Sequence, residues 1–124
     1  MTKLKIKVTK EILERSKMCG WQHGGYKDVP ANCAIAVAIK DVFPHARVGS
    51  WMISYLDGDD YNSYLPQEAI SFISAFDFFN PDERVLMPEI EFELTIPDEV
   101  IEKINIEELK PLLENHPTLS LIEN

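Results

Sequence analysis

The sequence predicts a single α+β domain with an antiparallel or mixed four-stranded sheet and helices packed on one face. Two segments alternate apolar and charged residues with the period of a half-buried strand, and a third is apolar on every side, which is typical of a buried helix. The predicted order, β-α-α-β-β-α-β-α-α, has no regular βαβ repeat. With 124 residues, of which 45% are hydrophobic, the chain suffices for one core.

The first elements follow from residue patterns near the start of the chain. In Lys3–Val8 the lysines alternate with leucine, isoleucine and valine, which predicts a strand. Thr9 is an N-cap candidate for a helix over Lys10–Met18. A second helix is predicted over Pro30–Phe43, and its apolar centre Cys33–Ile39 makes it the most buried element of the fold.

The middle of the chain predicts a hairpin and a helix. β-branched and aromatic residues predict a strand over Arg47–Leu56, and Asp57-Gly58 predicts a turn to a return strand over Tyr61–Leu65. Pro66 opens a helix, and residues 79–88 are predicted to form a loop. The core-facing positions of this helix are Ala69, Phe72, Ile73 and Phe76.

The last predicted strand, Glu89–Thr95, places three glutamates on its outer face. We expect it to pair with Lys3–Val8, because lysines would then lie opposite glutamates. A short helix follows from Pro97 to about Ile104, and Asn105 with Glu108 three residues later predicts a capping box at the start of another. Residues 1–96 are therefore predicted to form the α+β core and residues 97–124 a C-terminal helical extension of the same domain.

Charge is unevenly distributed along the chain. The net charge is −9, with +1 in residues 1–76 and −10 in residues 77–124. Such an acidic surface repels phosphates, so direct binding to nucleic acid is disfavoured, whereas a basic protein partner is favoured. The alternative is that the acidity only maintains solubility.

The sequence predicts a cytoplasmic protein that has no membrane contact and needs no cofactor. No apolar window approaches the roughly 20 residues that cross a bilayer, and the N-terminal lysines interrupt any signal-peptide core. Cys19 and Cys33 are expected to be free thiols. The oligomeric state is left open by the sequence.

Cys33 is the main candidate for catalysis. It lies near a predicted helix N-terminus, where the helix dipole lowers the pKa of a thiol, and His23 in the preceding loop could fold back as its base. His45, twelve residues further on, would lie roughly 18 Å away along a straight helix. The alternative, which we favour, is that Cys33 has no catalytic role and is simply a small apolar side chain packed in a buried helix.

Metal binding is not predicted. Cys19, His23 and Cys33 include no CxxC or HxxxH spacing, so a structural zinc site lacks its ligand pairs. The run Asp57-Gly58-Asp59-Asp60, with Glu68 beyond it, partly matches a calcium loop, but Tyr61 and Asn62 occupy the positions of a ligand and of the central glycine. A solvated turn explains these aspartates better.

The candidate binding residues lie in a loop and on a strand. The glycine-rich stretch Trp21–Tyr26 carries aromatic side chains of the kind that anchor protein interfaces, unless they fold onto the core. The predicted binding residues are Trp21, His23, Tyr26, Glu89, Glu91 and Glu93.

Three segments resemble a loose group of small uncharacterised proteins from bacteria and their phages. They are Cys33–Ile39 before Phe43-Pro44, Leu65-Pro66 with the helix positions through Phe76-Asp77, and the acidic strand Glu91–Leu94. The resemblance implies a fold and a bacterial or phage setting, and it carries no known activity. Members often have a second cysteine and a proline beside the helical cysteine, whereas here Asn32 and Ala34 flank Cys33, which disfavours redox or metal chemistry.

The function favoured by these patterns is binding to another protein without catalysis, as an accessory protein or a phage-derived inhibitor. The acidic C-terminal third, the aromatic loop and the lack of catalytic motifs favour it. The alternative is a small cysteine-dependent hydrolase or thiol enzyme that uses Cys33 and His23.

Overall fold

The structure is a computed structural model that describes residues 2–16, 34–58 and 63–123. These ranges contain helices and two three-stranded antiparallel sheets, so the α+β class is confirmed, whereas the single four-stranded sheet predicted from the sequence is not what forms. The strands are β1 (Thr2–Val8), β2 (Arg47–Val48), β3 (Met52–Ser54), β4 (Ser63–Tyr64), β5 (Ile90–Thr95) and β6 (Leu119–Glu123). The helices are α1 (Lys10–Ser16), α2 (Ala34–Ile39), α3 (Gln67–Phe78), α4 (Pro81–Arg84), α5 (Asp98–Lys103) and α6 (Ile106–Leu113).

The first sheet has β1 at its centre, in the order β5-β1-β6. The predicted pairing of the lysine strand with the glutamate strand is confirmed, because Lys5 lies opposite Glu93 and Lys7 opposite Glu91. Successive side chains of a strand point to opposite faces of a sheet. The apolar residues occupy alternate positions in β1 and β5, so they all lie on the inner face. Its buried residues are Leu4, Ile6, Val8, Phe92, Leu94 and Leu119.

The third strand of this sheet, β6, corrects the predicted order, which ended in helices. β6 pairs along β1 with Leu4 opposite Leu121 and Ile6 opposite Leu119. The segment is short and follows two helices, so its pattern alone did not distinguish it from a terminal loop. Its main-chain hydrogen bonds come from β1, more than a hundred residues earlier in the chain.

The second sheet, β2-β3-β4, corrects the single strand predicted over Arg47–Leu56. The chain reverses between Val48 and Met52, where Gly49 N donates to Met52 O at 2.8 Å, and a hairpin replaces the continuous strand. β-propensity does not reveal such a reversal, because both arms of a hairpin are rich in the same residues. The predicted return strand is present as β4, and its first positions, 61 and 62, lie outside the described residues.

The central helix, predicted over Pro30–Phe43, ends earlier in the structure than predicted. α2 ends at Ile39, after which Phe43 N still donates to Ile39 O at 2.9 Å as the chain leaves in turns. Residues 30–33 lie outside the described part of the chain. Every residue of α2 except Val37 is buried, because the helix contacts β1, β2 and α1. Among the described residues this agrees with its predicted place in the core.

Helix α3 presents the predicted stripe to the core, with Ala69, Phe72, Ile73 and Phe76 buried. The predicted loop over 79–88 is corrected, since Asn80 and Glu83 form a capping box that starts α4. Arg84 then packs its guanidinium 4.2 Å from the Phe76 ring centroid, and its Nε donates to Phe76 O at 2.7 Å. Partial burial raises the pKa of Asp77, and the Arg84 charge offsets part of that rise.

The side chains of the predicted N-cap residues Thr9 and Asn105 both cap their helices. Thr9 Oγ1 accepts from Ile12 N at 3.2 Å and caps α1. Asn105 Oδ1 accepts from Glu107 N and Glu108 N, at 3.1 and 3.4 Å, and caps α6. Such caps depend only on neighbours in the sequence, which is why they could be predicted.

Candidate functional site

Among the described residues outside the helices, a stacked pair of aromatic side chains at the second sheet is strongly exposed. The rings of Trp51 and Tyr64 have centroids 5.9 Å apart and planes at 28°. Trp51 retains 55% of its accessible surface and Tyr64 71%. The β2–β3 turn carries Trp51 and β4 carries Tyr64, so the β3–β4 ladder fixes their separation. Both rings therefore present apolar surface to solvent without any movement of the backbone.

A shallow groove of about 400 Å³ runs beside this pair, where the two sheets meet. One wall comes from β4 and the residues after it, and the other from the end of β5. The walls touch where Ser63 Oγ donates to Thr95 O at 3.1 Å. The lining residues are Ser63, Tyr64, Leu65, Pro66, Glu93, Leu94, Thr95 and Pro97. We call this groove and the Trp51–Tyr64 pair together the aromatic surface.

The hairpin that holds Trp51 and Tyr64 is anchored from beneath by Tyr55. This side chain is fully buried, packs on Phe43 with ring centroids 5.3 Å apart, and donates its hydroxyl to Ser63 Oγ at 3.3 Å. Burial raises the pKa of Tyr55 to about 12, and the hydrogen bond to Ser63 offsets part of the rise. The neutral phenol therefore persists over the whole physiological range.

The three glutamates predicted to bind a partner have different surroundings in the structure. Glu89 Oε2 accepts from Lys10 N at 2.8 Å, at the start of α1. Glu91 Oε1 lies 2.6 Å from Lys5 Nζ. Glu93 makes no ion pair with any described residue, and it lines the groove of the aromatic surface. Of the three, Glu93 has the carboxylate that is most available to a ligand.

The other predicted site residues, Trp21, His23, Tyr26 and Cys33, lie outside the described residues, as does Cys19. Sequence reasoning missed Trp51 and Tyr64 as a candidate site, because it assigned Trp51 to the interior of one long strand. The signal available was Gly49-Ser50, a turn-forming pair immediately before Trp51.

Asp41, His116 and Thr118 form a chain of polar contacts that superficially resembles a proton relay. His116 Nε2 lies 3.1 Å from Asp41 Oδ2, and Thr118 N donates to His116 Nδ1 at 3.1 Å. Since Nδ1 accepts that bond, the proton of a neutral ring is on Nε2 and faces Asp41. Thr118 Oγ1 is buried and donates to Ala38 O at 2.8 Å, so it is not positioned as a nucleophile. These contacts instead attach the segment just before β6 to the C-terminal end of α2 and the turn that follows it.

The described ranges contain neither a cluster of metal-ligating side chains nor a helix able to span a membrane. In residues 2–16, 34–58 and 63–123 no three His, Cys, Asp or Glu side chains are grouped closely enough to hold a metal ion. No helix in that part of the chain has the length and apolar character needed to span a bilayer.

The chain was also compared with known proteins. No protein-family model, curated protein or solved structure matches it.

Proposed function

We propose that this chain is a small acidic cytoplasmic protein that acts by binding another protein, as an accessory protein or a phage-derived inhibitor. The aromatic surface is its contact surface. The observation that carries the proposal is the exposed, stacked pair Trp51–Tyr64. Tryptophan and tyrosine are enriched among the residues that dominate binding energy at protein interfaces.

Rigidity favours this pair as an anchor. Trp51 and Tyr64 hold each other in place, and the buried Tyr55 supports the strand beneath them. A preorganised aromatic pair loses little conformational freedom when a partner covers it, so more of the contact energy appears as affinity. The net charge of −9 favours a partner with a basic surface.

Affinity capture from a lysate of the source cell, followed by titration of the captured protein, tests the proposal. We expect Trp51→Ala and Tyr64→Ala each to weaken binding at least ten-fold, as truncation of interface anchors does. Phe78→Ala is the matched control, because Phe78 is an aromatic residue 85% exposed on a different element, α3. Equal affinity of Trp51→Ala, Tyr64→Ala and the wild type for a stoichiometric partner would contradict the proposed surface.

The alternative thiol enzyme depends on Cys33 and His23 and is tested by alkylation. An activated thiolate at Cys33 reacts fast at neutral pH, whereas a buried structural thiol reacts slowly. Cys19→Ser isolates the reaction of Cys33. Fast alkylation that His23→Ala slows would favour the enzyme over the binding protein.

A further inference from the structure

Within the described residues, the outer edge of β5 has main-chain hydrogen-bonding groups that no other strand pairs with. In an antiparallel ladder, opposite residues alternate between pairs that exchange hydrogen bonds and pairs that do not. Ile96 N donates to Thr2 O at 2.9 Å in the same register, which makes Leu4–Leu94 and Ile6–Phe92 bonded pairs. The N–H and C=O groups of Glu91, Glu93 and Thr95 therefore point away from β1.

Only the far end of this edge is occupied by described residues. Thr95 O accepts from Ser63 Oγ, which closes the edge where the two sheets meet. No described residue bonds to the outward main-chain groups of Glu91 and Glu93. An edge strand with free groups is a template for an added strand.

The inner neighbour of β5 shows which sequence pattern this strand accepts. β1 alternates Lys3, Lys5 and Lys7 with apolar residues, and its lysines share the outer face of the sheet with Glu91 and Glu93. A strand added on the other side of β5 would meet the same two carboxylates. Glu93 is the one that has no ion pair with the described residues.

The groove of the aromatic surface continues from this edge. Beyond Glu93 its walls are Tyr64, Leu65, Pro66 and Pro97, which offer apolar and aromatic contacts. An extended segment can therefore make main-chain bonds along Glu91–Glu93 and rest its next residues against Tyr64.

We propose that the outer edge of β5 binds an extended segment of the partner protein, with Lys or Arg at alternate positions, by adding it as a strand. This inference rests on the proposed protein-binding function and specifies the chemistry of the partner. Main-chain bonds to Glu91 and Glu93 supply the strand pairing, and the Glu93 carboxylate selects a basic side chain.

The probe is a capped seven-residue peptide of alternating valine and lysine, titrated against the whole chain. We expect saturable one-to-one binding, and no binding of the same peptide with glutamate in place of lysine. Glu93→Gln should weaken binding roughly two- to five-fold, as loss of an exposed charge pair does. Glu102→Gln removes the same charge from an exposed position on helix α5 and should leave the affinity unchanged.

Main-chain hydrogen bonding distinguishes strand addition from charge attraction alone. Hydrogen exchange at the Glu91 and Glu93 amides should slow at least ten-fold when the peptide is present. Two further peptides carry N-methyl groups on all their valines or on all their lysines. Because alternate amides of a strand face the same edge, only one of the two should lose binding, by about ten-fold or more.

Three results would overturn the inference: unchanged exchange at Glu91 and Glu93, equal binding of the two methylated peptides, or equal effects of Glu93→Gln and Glu102→Gln. Failure of the valine–lysine peptide to bind at millimolar concentration would overturn it as well. If Trp51→Ala still abolished capture of the partner, the proposed function would stand without this binding mode.

Discussion

Lys5 Nζ lies 2.6 Å from Glu91 Oε1, although the residue directly opposite Lys5 in the ladder is Glu93. The twist of paired strands brings one of the two diagonal neighbours within reach of a long side chain. The two side chains are 43% and 47% exposed, so water screens the pair. Its contribution to stability is therefore small, about 1 kcal/mol at most.

A charge-swap series measures this diagonal pair. Lys5→Glu and Glu91→Lys should each lower the free energy of unfolding by up to about 1 kcal/mol, because each places like charges together. The double swap should recover part of the loss in urea unfolding. The double variant Lys5→Glu with Glu93→Lys should recover less of the lost stability. An equal or larger recovery in that variant would contradict the diagonal contact.

Ala36→Glu should prevent folding. Ala36 is 2% exposed in α2, and a carboxylate there would be buried without a partner. Circular dichroism and urea unfolding provide the measurement. The control is Lys40→Glu, which places the same carboxylate at an exposed position just beyond the helix. A soluble Ala36→Glu variant with a native unfolding transition would show that α2 is not in the core.

Leu119→Ala tests whether β6 is part of the core. Leu119 is 1% exposed, so its truncation should cost about 2–5 kcal/mol. Leu112→Ala is the matched control, because Leu112 on α6 is 56% exposed and its loss should cost under about 0.5 kcal/mol. Similar unfolding midpoints for the two variants would mean that residues 97–124 are an extension that the core does not need.

Tyr55 predicts a specific loss of stability in alkali. Its folded pKa of about 12 lies above the ordinary value of 10, so between these values the unfolded chain loses a proton that the folded chain keeps. Stability is therefore unaffected by this group below pH 10 and falls above it, by roughly 1.4 kcal/mol per pH unit up to the folded pKa.

Urea midpoints at pH 9, 10 and 11 check this prediction. Tyr55→Phe removes the ionisable hydroxyl and should show a flatter decline above pH 10. It also loses the hydrogen bond to Ser63, which lowers stability at neutral pH by about 1 kcal/mol. Identical pH profiles for Tyr55→Phe and the wild type would exclude Tyr55 as the source of the decline.

The salt dependence of partner association shows whether the acidic residues steer binding or only maintain solubility. If the negative surface attracts a basic partner, the association rate should fall steeply as salt rises, because exposed charges are screened beyond about 8 Å at physiological ionic strength. Stopped-flow association with the captured partner gives the rate. Trp51→Ala should mainly raise the dissociation rate and leave the salt slope of association unchanged. An association rate that does not vary with salt would assign the acidic residues to solubility.

Prediction from the sequence succeeded where the determining neighbours are close along the chain or where a strict pattern extends over a whole element. Thr9 and Asn105 cap their helices through residues two or three positions away. The alternation in β1 and β5 identified both strands, and their opposite charges identified them as partners. Prediction from the sequence failed at the turn before Trp51 and at α4, where a few polar residues fit a loop and an ordered turn equally well.

The sequence by itself determined the α+β class, the buried α2 and the pairing of the lysine strand with the glutamate strand, since hydrophobic period and charge encode them directly. Only the tertiary structure decided that the strands form two sheets, that β6 completes the first, and that Trp51 stacks on Tyr64 beside β5. These features depend on pairing between distant segments. A short segment is extended as a strand only when another strand supplies its main-chain hydrogen bonds. An aromatic side chain stays exposed when the core beneath it is already filled.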